Sequence, residues 1–453
     1  MAQGHMIPMV DFTRLLAQQG VKVTIVTTPQ NADRFKTLLF LAAQANLPVQ
    51  FIELQLPFEE ARLPQGCDNL DLLPSLDLTI NLFKAASMLQ EPVEKLFEEL
   101  IPRPSCIISD MCLPWTSQIA NKFHIAKVIF QGVCCFFHLC LRSLHLSKVL
   151  EITTSDSEPF VLPGSPDQIK FTKSQLPLWK FVLFPNTLLA DPKLKDFTDQ
   201  MLEVDMASYG VVINTFEELE PAYVEEYKKA RNGKVWCGGP VSLCNKGNLD
   251  KIVRGNKATM DEHQCMEWLD SHELNSVVYV CLGSICNLIP AQLIELGLGL
   301  EASKKPFIWV IRERNRSEEL EKWILEYGFE EKTKGREAIC AGVPMVTWPL
   351  FEDQFFNEKL LVNVLGVGVR VRVEKIVKWG EEEKFGVLVK KEEIMEAIEK
   401  LMSGEQKEEM KKIVRKLCEK AKKAVEEGGS SHLNMTLFIQ DIIQQASLMS
   451  SKE

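Results

Sequence analysis

Six polar residues of this chain have the type and setting to do chemistry: His5, Asp110, Ser284, Glu337, Asp353 and Gln354. Glu337 and Asp353 are carboxylates that can each accept two hydroxyl hydrogen bonds, and Gln354 can both donate and accept. A carbohydrate offers many vicinal hydroxyls, so it calls for such groups converging on it. An acidic residue ahead of a helix can equally be a cap and nothing more. His5 stands in Gly-His-Met-Ile-Pro, just before a helical pattern; a histidine titrates near neutrality and so suits a general base. On spacing alone, an exposed loop histidine is more often inert. Asp110 ends the run Cys106-Ile-Ile-Ser-Asp110, where a polar residue is often a helix cap. Ser284 follows Gly283 at a strand-to-helix turn, which presents N–H groups and a hydroxyl to an anion or is a plain turn.

The elements that must carry these residues alternate between strand and helix. Val343 to Thr347 is a short apolar run with two valines, a buried strand. Trp348-Pro349 stops it, because proline has no N–H to continue a ladder. Asp353-Gln354 then opens an amphipathic segment with Phe356, Leu360, Leu361 and Val364 on its apolar side. Polar groups thus fall at a strand's carboxyl end, where ligands bind in open α/β sheets. Residues 1 to about 240 alternate similarly and predict a parallel sheet with helices on both faces. Strands are expected at Val21–Thr28, Val49–Leu56, Cys106–Asp110, Ala126–Gln131 and Gly210–Thr215, with helices at Met9–Gln19 and Asp77–Leu100. Val235 to Pro240 reads as a tight turn, and Val241 to about Gln264 as a polar linker. The alternation restarts with strands at Val277–Leu282 and Pro306–Ile311 and a proline-opened helix at Pro290–Ala302. Helices at Lys407–Glu427, stopped by Gly428-Gly429, and at about Leu433–Gln445 end the chain.

Composition narrows the function classes. At 453 residues the chain is too long for one core, so two domains are expected. A net charge of −10 and a pI near 5.5 argue against a nucleic-acid surface. The thirteen cysteines show no C-x-x-C pair, and most sit in apolar runs. Buried free thiols in a reducing, cytoplasmic setting are expected rather than disulfides or zinc. No apolar run is long enough to span a bilayer, and no signal peptide is read at Met1. Gly297-Leu-Gly-Leu-Glu-Ala302 matches G-x-G-x-x-A formally, but it lies inside a helix, so it is not a dinucleotide fingerprint.

The stretch from Glu337 to Lys359 resembles the carboxyl half of the signature box of the plant secondary-product UDP-glycosyltransferases, the family 1 inverting enzymes. Gly4-His5-Met-Ile-Pro-Met9, Trp236-Cys-Gly-Gly-Pro240, Asp261 to Asp270, Tyr279 to Ser284, Trp379-Gly380 and Glu426 to Ser431 extend the resemblance from Met1 to about Gln445. It implies an α/β fold of the GT-B type, two doubly wound Rossmann-like domains facing a cleft. Residues 1–240 would bind the acceptor, 241–264 link, 265–432 bind the UDP-sugar, and 433–453 form a helix returning to the first domain. It implies His5 as the general base and Asp110 as the carboxylate that orients it. It implies Ser284 at the pyrophosphate, Glu337 at the ribose, and Asp353 and Gln354 at the sugar hydroxyls. The implied reaction moves glucose from UDP-glucose to a hydroxyl of a small lipophilic acceptor (flavonoid, triterpenoid or hormone), with inversion. No metal or other cofactor, no nucleic acid and a monomer are expected. Two pieces of the pattern are absent. The Trp-x-Pro-Gln and His-Cys-Gly-Trp-Asn-Ser runs are missing, roughly thirty residues near 336/337, and the apolar strand expected before Gly4-His5 is missing too. The alternative expectation is therefore a non-catalytic remnant, or a protein of the same fold that only binds.

Overall fold

A computed structural model describes residues 2–177, 192–247, 262–283, 285–312, 315–327, 338–377 and 381–450. The chain forms two compact units. One comprises Met1–Leu139, Trp179–Asn256 and Ala421–Glu453; the other comprises Cys140–Leu178 and Lys257–Lys420.

The first unit is built on parallel strands. β1 (Val23–Thr27) pairs with β2 (Val49–Glu53), in register from Val23 against Val49 to Thr27 against Glu53. β3 (Cys106–Ser109) and β4 (Ala126–Gln131) lead a four-stranded sheet, and β4 is buried at all six residues. The hairpin strands β5 (Phe160–Val161) and β6 (Lys170–Phe171) belong to the second unit. β7 (Gly210–Ile213) and β8 (Val235–Cys237) complete the sheet in the order β3-β4-β7-β8. The β1-β2 pair forms a separate sheet. Although β1 reads Val-Thr-Ile-Val-Thr, none of its residues is fully buried, and Val26 is 36% exposed. A β-branched run normally has both faces covered in a parallel sheet.

Three expectations change here. Val235 to Cys237 is a strand rather than part of a turn. Asp77 to Leu100 is two helices, Thr79–Ser87 and Gln90–Glu99, because Pro92 has no N–H and fits only the opening turn of a new helix. His5 is not in a loop: the first helix starts at Gln3 and runs to Gln18 with Pro8 inside it. Gly4 and Pro8 are poor helix formers, but packing overrides them. Phe12 and Leu16 are 1% and 3% exposed in a core with Val128, Phe130, Val212 and Trp236. The last helix, Ser430–Ser450, brings Met435, Phe438 and Ile442 into that core. Phe438 lies 5.1 Å from the Trp236 ring, and Asn434 Oδ1 accepts from the Cys237 N–H at 3.3 Å.

In the second unit β9 (Val278–Val280) pairs with β10 (Phe307–Trp309), and β11 (Met345–Thr347) pairs with β12 (Gly368–Arg370), both parallel. The segment Cys140–Leu178 falls in this unit although it lies within the stretch expected in the first domain. Its anchors are specific: the Phe171 ring is 4.9 Å from Phe356, and the Ile376 N–H donates to Ser174 O at 2.7 Å. The helix Pro290–Ala302 explains its own glycines. A Cβ on Gly297 would lie 2.2 Å from the Trp323 ring, and one on Gly299 2.8 Å from Ile394. Those glycines serve helix packing.

Candidate active site

β3 delivers Asp110 at its carboxyl end. The chain then turns at once, because Asp110 Oδ1 accepts from the Cys112 N–H at 2.7 Å, an Asx turn two residues long. Thr116 tightens the turn by donating to Leu113 O at 2.7 Å, and the helix Thr116–Lys122 follows. The other carboxylate oxygen, Oδ2, lies 2.7 Å from His5 Nδ1. The contact follows from helical spacing. His5 is seven residues before Phe12, so it lies on the same stripe of the first helix. Seven residues advance about 10 Å along a helix. The stripe that buries Phe12 in the core therefore carries His5 past the sheet to its carboxyl edge, over Asp110. Gln3 Nε2 fixes the start of this helix by donating to Asp71 Oδ2 at 2.8 Å, and Asp71 also pairs with Arg34.

The two partners differ in exposure: the His5 side chain is 49% exposed and that of Asp110 5%. Burial alone would raise the Asp110 pKa. The His5 charge and the hydrogen bonds from His5 and Cys112 outweigh it and hold the carboxyl below its ordinary value. Asp110 is thus a buried carboxylate that stays ionised, with one oxygen tied to the backbone and the other to an imidazole open to solvent. Such a pair fixes the tautomer and can stabilise an imidazolium formed when the histidine takes a proton. Cys112 was missed in the sequence; its signal is only that it lies two residues beyond Asp110, where the same turn brings it back.

The second unit carries Asp353 and Gln354 at the start of the helix Gln354–Lys359, after β11. Asp353 stands at the N-cap position of that helix without a side-chain cap hydrogen bond. Its Oδ2 accepts from Asn357 Nδ2 at 2.8 Å instead. Gln354 Oε1 accepts from the Leu350 N–H at 2.8 Å, which shapes the turn after Pro349. Beneath them Glu358, 2% exposed, accepts from Thr347 Oγ1 at 2.8 Å and pairs with Arg370 at 3.3 Å. Burial raises the Glu358 pKa, and Arg370 and Thr347 oppose the rise. This buried group ties the helix to both strands. Ser284 and Glu337 lie outside the described residues. The structure therefore brings His5 to Asp110, and sets Asp353 beside Gln354.

Against this geometry stand three comparisons. The family model for UDP-glucoronosyl and UDP-glucosyl transferase matches residues 335–427. UDP-glycosyltransferase 73C25 of Barbarea vulgaris is 50% identical over 480 residues, covering 98% of this chain and 95% of the relative. UDP-glycosyltransferase 73C6 of Arabidopsis thaliana is 49% identical over the same share. The crystal structure of Glycyrrhiza uralensis UGT73P12 with glycyrrhetinic acid 3-O-monoglucuronide superposes with a TM-score of 0.88 at 32% identity, covering 100% of this chain and 96% of that one. Arabidopsis thaliana UGT89C1 with UDP shares the fold, with a TM-score of 0.71 at 24% identity and 97% of each chain covered. The 480 aligned positions outnumber the 453 residues of this chain, so the relatives carry residues inside the matched span that it lacks.

Proposed function

Since this chain belongs to the plant family 1 UDP-glycosyltransferases, of the GT-B fold, we propose that its reaction is transfer of glucose from UDP-glucose to a hydroxyl of a small lipophilic acceptor, with inversion. The observation that carries the proposal is the 2.7 Å contact between His5 Nδ1 and Asp110 Oδ2. With Nδ1–H donated to Asp110, the Nε2 lone pair of His5 takes the acceptor's hydroxyl proton. The resulting oxygen attacks C1 of the glucose from the face opposite UDP. The bond from C1 to the β-phosphate oxygen breaks, and its electron pair leaves with UDP. Asp110 stabilises the imidazolium until the proton is passed to solvent. Asp353 and Gln354 hold sugar hydroxyls, Glu337 the ribose and Ser284 the pyrophosphate. No metal is required, because turn and helix N–H groups can face the departing diphosphate. Flavonoid, triterpenoid or hormone acceptors are proposed, in keeping with the glycyrrhetinic acid glucuronide named for the Glycyrrhiza relative.

A second reading is favoured by the residues the relatives carry and this chain lacks. If they are the amino half of the signature box, the groups that stack on uracil and hold the pyrophosphate are gone. The chain as it stands then keeps the proton-transfer pair but turns over little or no donor. A transfer assay with UDP-glucose and a panel of flavonoid and triterpenoid acceptors separates the readings. It is run on this chain and on a version carrying the relatives' segment between residues 336 and 337. Glucoside formation only after insertion supports both the reaction and the lesion. No product from either form, with His5 and Asp110 intact and the protein folded, overturns the proposed reaction.

A further inference from the structure

His5, Asp110 and Cys112 place an imidazole nitrogen, a carboxylate oxygen and a thiol sulfur within 4.8 Å of one another. From this juxtaposition we propose that the pair His5–Asp110, together with Cys112, is a zinc-binding site, and that zinc and the acceptor's proton compete for His5. The inhibitory half rests on the reading of His5 as the base; the binding half does not.

The donor set selects the metal. One imidazole, one thiolate and one carboxylate suit a borderline-soft divalent ion and are poor ligands for magnesium or calcium. Zinc bonds of about 2.0–2.3 Å in a tetrahedron set ligand atoms roughly 3.3–3.5 Å apart. The contact between Nδ1 and Oδ2, now 2.7 Å, opens by about 0.6–0.8 Å to admit the ion. The site is braced for this. Asp110 is fixed through its other oxygen by the Cys112 N–H, so two ligands come from one short turn after β3. The third comes from the first turn of a helix whose next turns are locked in the core by Phe12 and Leu16. Asp110 is buried and Cys112 half-buried, while His5 opens to solvent, so an ion has an entry path and a dry backing. Three protein ligands leave the fourth position to water, as in open zinc sites.

The protons balance simply. Cys112 releases its thiol proton to solvent on binding, because the thiolate is the ligand. His5 stays neutral: its proton leaves Nδ1 and reappears on Nε2 as the metal takes the Nδ1 lone pair. Nε2–H can no longer accept a proton from the acceptor hydroxyl. Zinc therefore fixes the tautomer opposite to the one that catalysis needs.

The test uses the full chain and zinc chloride in a calorimeter, with cobalt as a spectroscopic stand-in. One zinc per chain, and a thiolate-to-cobalt charge-transfer band, are expected. Cys112→Ser should remove that band, and Cys112→Ser and His5→Ala should each weaken zinc by at least about a hundredfold, since loss of a mere supporting partner already costs ten- to a hundredfold. Circular dichroism confirms that each variant is folded. Equal zinc binding by Cys112→Ser overturns the site, as does the absence of a stoichiometric zinc in the parent chain. Inhibition is read separately, in the form carrying the inserted segment, as the ratio of rates with and without zinc in parent and Cys112→Ser. A zinc-binding chain whose inserted form is inactive refutes the proposed reaction and leaves the metal site standing. An active form that binds zinc without losing rate refutes the competition.

Discussion

Replacing Asp110 by asparagine should leave the fold intact and turn His5 into the wrong tautomer. The orientation of the new side chain follows from its two partners. The Cys112 N–H donates to Oδ1 at 2.7 Å, so the amide oxygen of asparagine must take that place. Flipping the amide would set N–H against N–H and leave a buried donor unpaired, at a cost of about 1–3 kcal/mol. The amide NH2 therefore lands where Oδ2 stood, 2.7 Å from His5 Nδ1. A donor there forces Nδ1 to accept, and the imidazole proton moves to Nε2. The position that should take the acceptor's proton is then occupied. In a serine protease the same exchange lowers kcat by roughly ten thousandfold, which corresponds to about 5 kcal/mol of barrier. Here about three to four decades are expected in the form carrying the inserted segment. In the parent chain the assay is nitrogen NMR of labelled histidine, which distinguishes Nδ1–H from Nε2–H without any turnover. Asp110→Asn giving the parent's tautomer, or a rate within about tenfold of the same inserted form with Asp110 intact, would refute the account of the pair.

Three further outcomes follow from the same contacts. Phe438→Ala should destabilise the first unit by about 3–5 kcal/mol in denaturant unfolding, because Phe438 is 2% exposed between Phe12 and Trp236; a loss under about 1 kcal/mol would mean the last helix contributes little to that core. Glu220, fully buried, accepts from the Cys135 and Phe136 N–H groups and from Thr215, yet burial pushes its pKa up to about 7. Its folded value lies above the unfolded one, so its contribution is fully present below about pH 4.5 and is lost as pH rises through 7. The stability of Glu220→Gln relative to the parent should accordingly rise from pH 5 to pH 7.5, read as a Tm difference that shifts in the variant's favour, and a pH-independent difference would contradict this. Gln354→Ala strands the Leu350 N–H and should cost about 1–3 kcal/mol of local stability, read as faster amide exchange at residues 350 and 351; unchanged exchange would show that the turn holds without it.

The sequence carried the frame of this fold well where burial is uniform. Ala126–Gln131 is buried at every residue, and Pro290–Ala302 opens with a proline, so both ranges coincide with the observed elements. It misled where local signals and packing disagree. Gly4 and Pro8 hid a helix that Phe12 and Leu16 hold in the core, so His5 was expected in a loop. Gly238-Gly239-Pro240 drew attention from the three-residue strand ahead of it, which is too short for periodicity to register. Pro92 was visible, yet the apolar spacing on either side concealed that it restarts the helix. The proximity of His5 and Asp110, 105 residues apart, could not come from spacing; it entered through resemblance. Cys112 joins them only through the turn that Asp110 itself makes.

The central claim is that this chain keeps a proton-transfer pair while the donor half lacks part of its grip on UDP. Titration calorimetry with UDP tests it most directly, on the parent chain and on the form with the relatives' segment inserted at 336/337. A stacked base and phosphate hydrogen bonds are worth on the order of 1–3 kcal/mol each, so losing two or more weakens binding by at least about thirtyfold. The account predicts micromolar affinity for the inserted form and at least that much weaker binding by the parent. Micromolar binding of UDP by the 453-residue chain itself would contradict it.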